Sequence, residues 1–137
     1  GIADNIVVLG TVEMILTGQD ARIGINAGNV EEVLDAIRAV LFRHVKWVYE
    51  PVRLTINPDG SVSLTAWLGS VNLNLTFPSP SQVKHGGEGY ADVVRQVRLM
   101  NDMPLISVVE ALRGMLRDEY SRSLLANLLD LALNTPK

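Results

Sequence analysis

Residues 51–77 read PVRLTINPDGSVSLTAWLGSVNLNLTF, and three alternations of apolar with polar residues run through them. Val52, Leu54 and Ile56 alternate with Arg53, Thr55 and Asn57. Val62, Leu64, Ala66 and Leu68 alternate with Ser63, Thr65 and Trp67, and Val71, Leu73, Leu75 and Phe77 with Asn72, Asn74 and Thr76. A period of two places each set on one face of a strand. Asn57-Pro58-Asp59-Gly60 and Gly69-Ser70 separate the runs. In the first turn, proline presets φ at one corner and glycine supplies positive φ at the exit. The stretch predicts a three-stranded antiparallel meander over 51–77, apolar on one face and polar on the other.

Upstream, Asn29 with Glu32 three residues later forms an N-cap and capping-box pair. Val30, Val33, Leu34, Ile37, Val40, Leu41, Val45 and Val48 then fall within one arc at about 100° per residue. This predicts a long central helix over 29–49 with its apolar face against something flat. Before it, residues 5–17 are β-branched and apolar on both sides, Gly18-Gln19-Asp20 is a turn signal, and Ala21, Ile23 and Ile25 alternate with Arg22, Gly24 and Asn26. These predict a β-hairpin over 1–28. The competing reading is a helix begun by Asp4 and stopped by Gly18.

Downstream, the glycine-rich stretch 78–89 predicts a flexible loop. Tyr90, Val93, Val94, Val97 and Met100 form one helical stripe, and Asn101-Asp102-Met103-Pro104 interrupts it. Leu105, Val108, Val109, Leu112, Met115 and Leu116 form a second stripe. Continuing it would bring Glu119 into the core, so a break is expected at Asp118–Ser121, after which Leu124, Leu125, Leu128, Leu131 and Ala132 provide a new face. Two to three helices therefore fill 90–134. The expected architecture is α+β in the order β-β-α-β-β-β-α-α: a hairpin and meander packed with one long central helix and the C-terminal helices. In element order it is similar to longin and roadblock-type modules, and more loosely to profilin and GAF-like domains. The resemblance implies a scaffolding or regulatory partner, such as a small GTPase or a cytoskeletal protein.

The chain has 137 residues, 47% hydrophobic and 20% charged. That is the balance of one globular domain, 1–137, rather than of a disordered or fibrous chain. No apolar run reaches the roughly 18 residues of a membrane span. No signal-like segment opens the chain, and Gly1 lacks the Ser or Thr of a myristoylation motif, so neither secretion nor lipidation is expected. The absence of cysteine excludes disulfides, thiol nucleophiles and thiolate metal sites, and fits a cytoplasmic location. Twelve bases against fifteen acids give a net charge of −3. The basic surplus that phosphate contacts demand is missing, which argues against nucleic acid as a partner.

The residues that bear chemistry form no catalytic constellation. His44 falls in the apolar arc of the central helix and reads as a neutral core residue. His85 with Glu88, beside Lys84 in the loop Lys84-His85-Gly86-Gly87-Glu88-Gly89, supplies too few ligands for a metal site. No G-x-S-x-G elbow accompanies its His-Gly-Gly run, and neither a P-loop nor a dinucleotide fingerprint is present. Glu31-Glu32 and Asp118-Glu119 sit at helix ends, where carboxylates serve the helix dipole or a solvated bend. Neither enzymatic activity nor a cofactor nor a metal is expected.

What remains are surfaces. Phe42 points away from the apolar arc with Glu31, Asp35, Lys46 and Tyr49, and either meets a partner or tucks under the C-terminal helices. Leu99 lies beside the outward-facing Arg95 and Arg98. Leu129 and Leu133 fall outside the arc of Leu124 and Leu128, making the last helix apolar on more than one side. Phe42, Tyr49, Leu99, Leu129 and Leu133 are therefore the predicted partner interface. On the meander, Arg53, Thr65, Trp67, Asn72 and Asn74 share the polar face with Thr55, Ser63 and Thr76, a small stacking platform of the kind that binds single strands or sugars. The expected function is a cofactor-free interaction or assembly module, acting as a homo-oligomer or within a larger complex. The alternatives are a binding protein for an apolar small molecule held between meander and helices, and single-stranded nucleic-acid binding at the polar sheet face.

Overall fold

Among the described residues, six α-helices and a three-stranded antiparallel sheet are formed. The structure is a computed structural model that describes residues 2–83 and 89–134, with side chains from residue 5 onward. The elements are α1 (Ile2–Leu16), α2 (Val30–Arg43), α3 (Val45–Val48), β1 (Arg53–Ile56), β2 (Val62–Leu68), β3 (Val71–Phe77), α4 (Tyr90–Arg98), α5 (Leu105–Gly114) and α6 (Glu119–Asn134).

The meander forms as its alternation predicts. Leu54 faces Leu64 across β1 and β2, and Leu64 faces Leu75 across β2 and β3. Along β3 burial alternates strictly, with Val71, Leu73, Leu75 and Phe77 inside and Asn72, Asn74 and Thr76 outside. Gly60 takes φ +87° at the exit of the first turn, where the Gly60 N–H donates to the Asn57 carbonyl at 2.9 Å. Gly69 takes φ +60° and Ser70 does not, so the second turn is a two-residue type II′ connection.

The N-terminal hairpin does not form. Residues 5–16 belong to α1, which ends in a Schellman motif: Gly18 at φ +89°, its N–H on the Ile15 carbonyl at 3.2 Å, and the Gln19 N–H on the Met14 carbonyl at 2.9 Å. A continuous apolar run carries no period that separates strand from helix. Its length and its closing glycine decide for helix. The alternation at Ala21, Ile23 and Ile25 is real, because these side chains turn inward while Arg22, Gly24 and Asn26 stay exposed. The segment pairs with side chains instead of a strand. The Asn134 amide donates to the Ile23 carbonyl at 2.6 Å and accepts from its N–H at 2.9 Å, and Asp130 accepts the Ile25 N–H at 3.4 Å. The sheet therefore has three strands, and the order β-β-α-β-β-β-α-α does not hold.

The central helix is shorter than predicted. It breaks at His44, whose backbone leaves helical values (φ −127°, ψ 77°), and Val45 beyond the break is exposed. Nor does Asn29 cap it. Asn26 accepts the Gly28 N–H at 2.8 Å and the Asn29 N–H at 3.2 Å, while the Asn29 side chain accepts the Asn26 N–H at 2.8 Å. α2 packs against α1 and α5 rather than lying flat on the sheet, whose covering helices are α4 on β2 and α6 on β3. Exposed ion pairs flank α2: Arg113–Asp35 (2.6 Å) and Arg38–Glu110 (3.2 Å) reach α5, and Arg43–Glu13 (2.7 Å) reaches α1. At such exposure each adds little. One core cluster runs through all layers, from Val12, Ile15 and Leu16 through Val33, Leu34 and Ile37 to Leu64, Leu75 and Phe77 and on to Leu105, Leu112 and Leu129.

Three helices follow the sheet. The break falls at residues 115–118, earlier than the expected Asp118–Ser121, and Asp118 caps α6 by accepting the Ser121 N–H at 2.8 Å, which holds its carboxyl below the usual range. The first half of the expected loop is held against α4. Pro80–Gln82 is a single 3₁₀ turn, Ser79 is buried, and the Tyr90 hydroxyl donates to the Pro78 carbonyl.

Candidate protein-interaction surfaces

Four apolar or open surfaces are built by these elements. α1 is apolar on two faces. Val12, Ile15 and Leu16 are buried toward α2, while Ile6, Val7 and Met14 are exposed. At about 100° per residue the latter three and Gly10 share one arc of the helix. The groove beside it, of about 210 Å³ and lined by Val8, Leu9, Ala36 and Ala39 with Asn5, Glu32 and Asp35, is smaller than most ligand pockets.

On α2, Phe42 is 52% exposed and carries the Arg38 guanidinium 4.8 Å from its ring centroid. It does not tuck under the C-terminal helices: α5 packs on α2 but leaves this side chain uncovered. Tyr49, just past α3, and Leu99, at the end of α4, are exposed as predicted. Leu129 and Leu133 are not: both are buried in the core with Leu125 and Ala126, and the exposed leucine of α6 is Leu131, at 67%. The inner face of α6 is rotated from the expected arc of Leu124, Leu125, Leu128, Leu131 and Ala132. The core side of α6 is set by its contacts with β3 and α2, and a helix apolar nearly all round has no unique inner face in its sequence.

The polar sheet face is open. Trp67 is exposed, and a shallow groove of about 380 Å³ runs past Arg53, Thr65, Trp67 and Asn72. Arg53 is paired with Asp102 at 2.5 Å, so its charge is already partly met. The Ser63 and Thr76 hydroxyls hydrogen-bond to each other at 3.2 Å across β2 and β3. A second groove, of about 460 Å³, lies between the free side of β3 and α6, with Asn72, Asn74 and Thr76 on one wall and Leu128, Leu131 and Ala132 on the other. The sequence placed Asn72 and Asn74 correctly but gave no sign of that second wall.

Several other polar groups make local contacts. His44 is half-buried at the α2–α3 break and stacks on Trp47, with ring centroids 4.2 Å apart and 12° between planes. Glu31 lies 3.8 Å from Arg113. Arg95 pairs with Asp92 one turn away. Burial, reinforced by Tyr120, pushes the Tyr90 phenol up to about 12. Ser61 donates its hydroxyl and backbone N–H to Asp59 and so lowers that carboxyl. Lys84, His85 and Glu88 lie outside the described residues. Among the described residues no group of three or more His, Asp or Glu stands close enough to hold a metal, and no helix is long and apolar enough to cross a membrane. Comparison with protein families, with curated proteins and with solved structures finds no match to this chain.

Proposed function

We propose that the chain is a non-enzymatic protein–protein interaction or assembly module, working as a homo-oligomer or as a subunit of a larger complex in the cytoplasm. The observation that carries this reading is α1: one apolar face is buried on α2, and the other leaves Ile6, Val7 and Met14 in solvent. A helix apolar on both faces gains stability from cover on both, and a monomer of this size covers only one. Phe42, Tyr49, Leu99 and Leu131 add exposed apolar area on other elements. Light scattering and native mass spectrometry of the purified protein test the reading. A discrete oligomer, or a defined complex with another protein, is expected. A bare monomer at every concentration, with no protein bound, would refute it, and a monomer retaining an organic compound would favour a small-molecule carrier instead.

A further inference from the structure

We propose that β3 is a self-pairing edge: two copies of the chain join antiparallel through Asn72–Thr76, about a twofold axis at Asn74, into one continuous sheet. This rests on the assembly reading and names its surface and its partner.

The backbone register points to it. Leu68 and Val71 flank the two-residue turn and so exchange both backbone hydrogen bonds, as do Ala66 with Leu73, Leu64 with Leu75, and Val62 with Phe77. The N–H and C=O groups of Asn72, Asn74 and Thr76 therefore point away from β2, and among the described residues nothing hydrogen-bonds them. The opposite edge is treated differently. The Val52 N–H donates to the Met103 carbonyl at 3.0 Å, the Asp102 N–H to the Val52 carbonyl at 2.9 Å, and the Leu54 N–H to the Asn101 side chain at 3.1 Å. Asp102 adopts φ +65° within this covering segment. Natural sheets blunt exposed edges with lysine, proline, bulges or covering segments. β1 has such a cover, whereas Val71–Phe77 runs in unbroken register without any charged residue or proline.

A second copy fits this edge chemically. With Asn74 on the axis, Asn74 meets the partner's Asn74 and Asn72 meets the partner's Thr76, so every outward N–H finds a C=O. A symmetric contact brings each side chain to its own image or a near neighbour's, so any charge there would meet its own sign. The edge and the wall of α6 beside it carry none. Joining also brings the α6 helices together beneath the sheet and covers Leu131. Seven residues at about 3.3 Å span roughly 23 Å, and a strand with its helix is about 20 Å deep, giving roughly 900 Å² in total. That is below the standard range and predicts a dimer that dissociates on dilution.

Sedimentation of the full chain across a wide concentration range, together with hydrogen exchange, tests the proposal. The wild type is expected to dimerise with rising concentration, slowing exchange at the amides of residues 72, 74 and 76 while 73 and 75 stay constant. Asn74→Lys puts two ammonium groups at the axis, and Asn74→Pro removes the central N–H. Each should weaken the dimer at least about tenfold. Asn74 is exposed, so Asn74→Lys is expected to fold as the wild type does and remains informative if the proline variant does not. A dimer unchanged in Asn74→Lys would overturn the β3 edge while leaving the assembly reading intact on another face. A wild-type monomer throughout would overturn self-pairing, as would protection of those amides only by an added foreign peptide.

Discussion

Replacing Gly69 by alanine probes the seam where α1 meets the sheet. Gly69 sits at φ +60° in the tip of the β2–β3 hairpin, and a Cβ added there would lie 2.3 Å from the Leu16 carbonyl oxygen and 2.7 Å from the Trp47 ring. The Leu16 carbonyl cannot turn aside without loss, because it accepts the Ser70 N–H at 2.9 Å. Alanine at positive φ costs about 1–2 kcal/mol. Overpacking against a carbonyl and a ring adds about 1–3 kcal/mol, so Gly69→Ala should cost about 2–5 kcal/mol in all. Gly60→Ala is the control. Its φ is +87°, but the nearest atom to its Cβ is the Ser79 hydroxyl at 2.9 Å, the end of a small side chain. It should cost only about the 1–2 kcal/mol of the backbone term. Urea unfolding of both variants, followed by circular dichroism and by tryptophan fluorescence, measures the difference. If Gly69→Ala costs no more than Gly60→Ala, the end of α1 and Trp47 do not rest on the hairpin tip, and the placement of the N-terminal helix is wrong.

Three further outcomes are expected. Leu129→Ala removes a side chain only 1% exposed and should cost about 2–5 kcal/mol, whereas Leu131→Ala in the monomer should stay within about 0.5 kcal/mol by the same denaturation assay. Asn134→Ala leaves both backbone groups of Ile23 without their partner, which should cost about 1–3 kcal/mol and speed amide exchange at Ile23 relative to the helix cores. The Tyr90 phenol is pushed up to about 12 by burial, with Tyr120 adding to it, against about 10 in the unfolded chain. The native state therefore holds a proton that the unfolded state has lost between about pH 10 and 12. The associated stability is full below that window and falls as pH rises through it. Stability measured across this range should drop less in Tyr90→Phe than in the wild type. An equal drop would place the phenol in solvent.

Parts of the fold were legible because they depend on local pattern. The meander and its two turns follow from alternation and from glycine at positive φ, and the existence of a break near Glu119, though not its placement at 115–118, follows from the cost of burying a carboxylate. The same logic misled where a pattern reports burial but not partner. Ala21, Ile23 and Ile25 do alternate in burial, yet Ile23 and Ile25 hydrogen-bond Asn134 and Asp130 of a helix more than a hundred residues away. No local signal carries that information. At Asn29 the cap motif was present, but Asn26 took the competing hydrogen bonds. On α6 leucines surround the helix, so only its contacts with β3 and α2 select Leu129 and Leu133 for the core and leave Leu131 outside.

By itself, the sequence determined the three strands of the meander, their faces and the starts of α4 and α5, since these rest on side-chain period, turn chemistry and composition. Only the tertiary structure decided that α1 is a helix with a second apolar face in solvent, and that Asn101–Met103 covers one sheet edge while, among the described residues, no segment pairs with the other at Asn72–Thr76. An edge becomes open or closed through which distant segment reaches its backbone amides, and backbone amides are the same in every sequence.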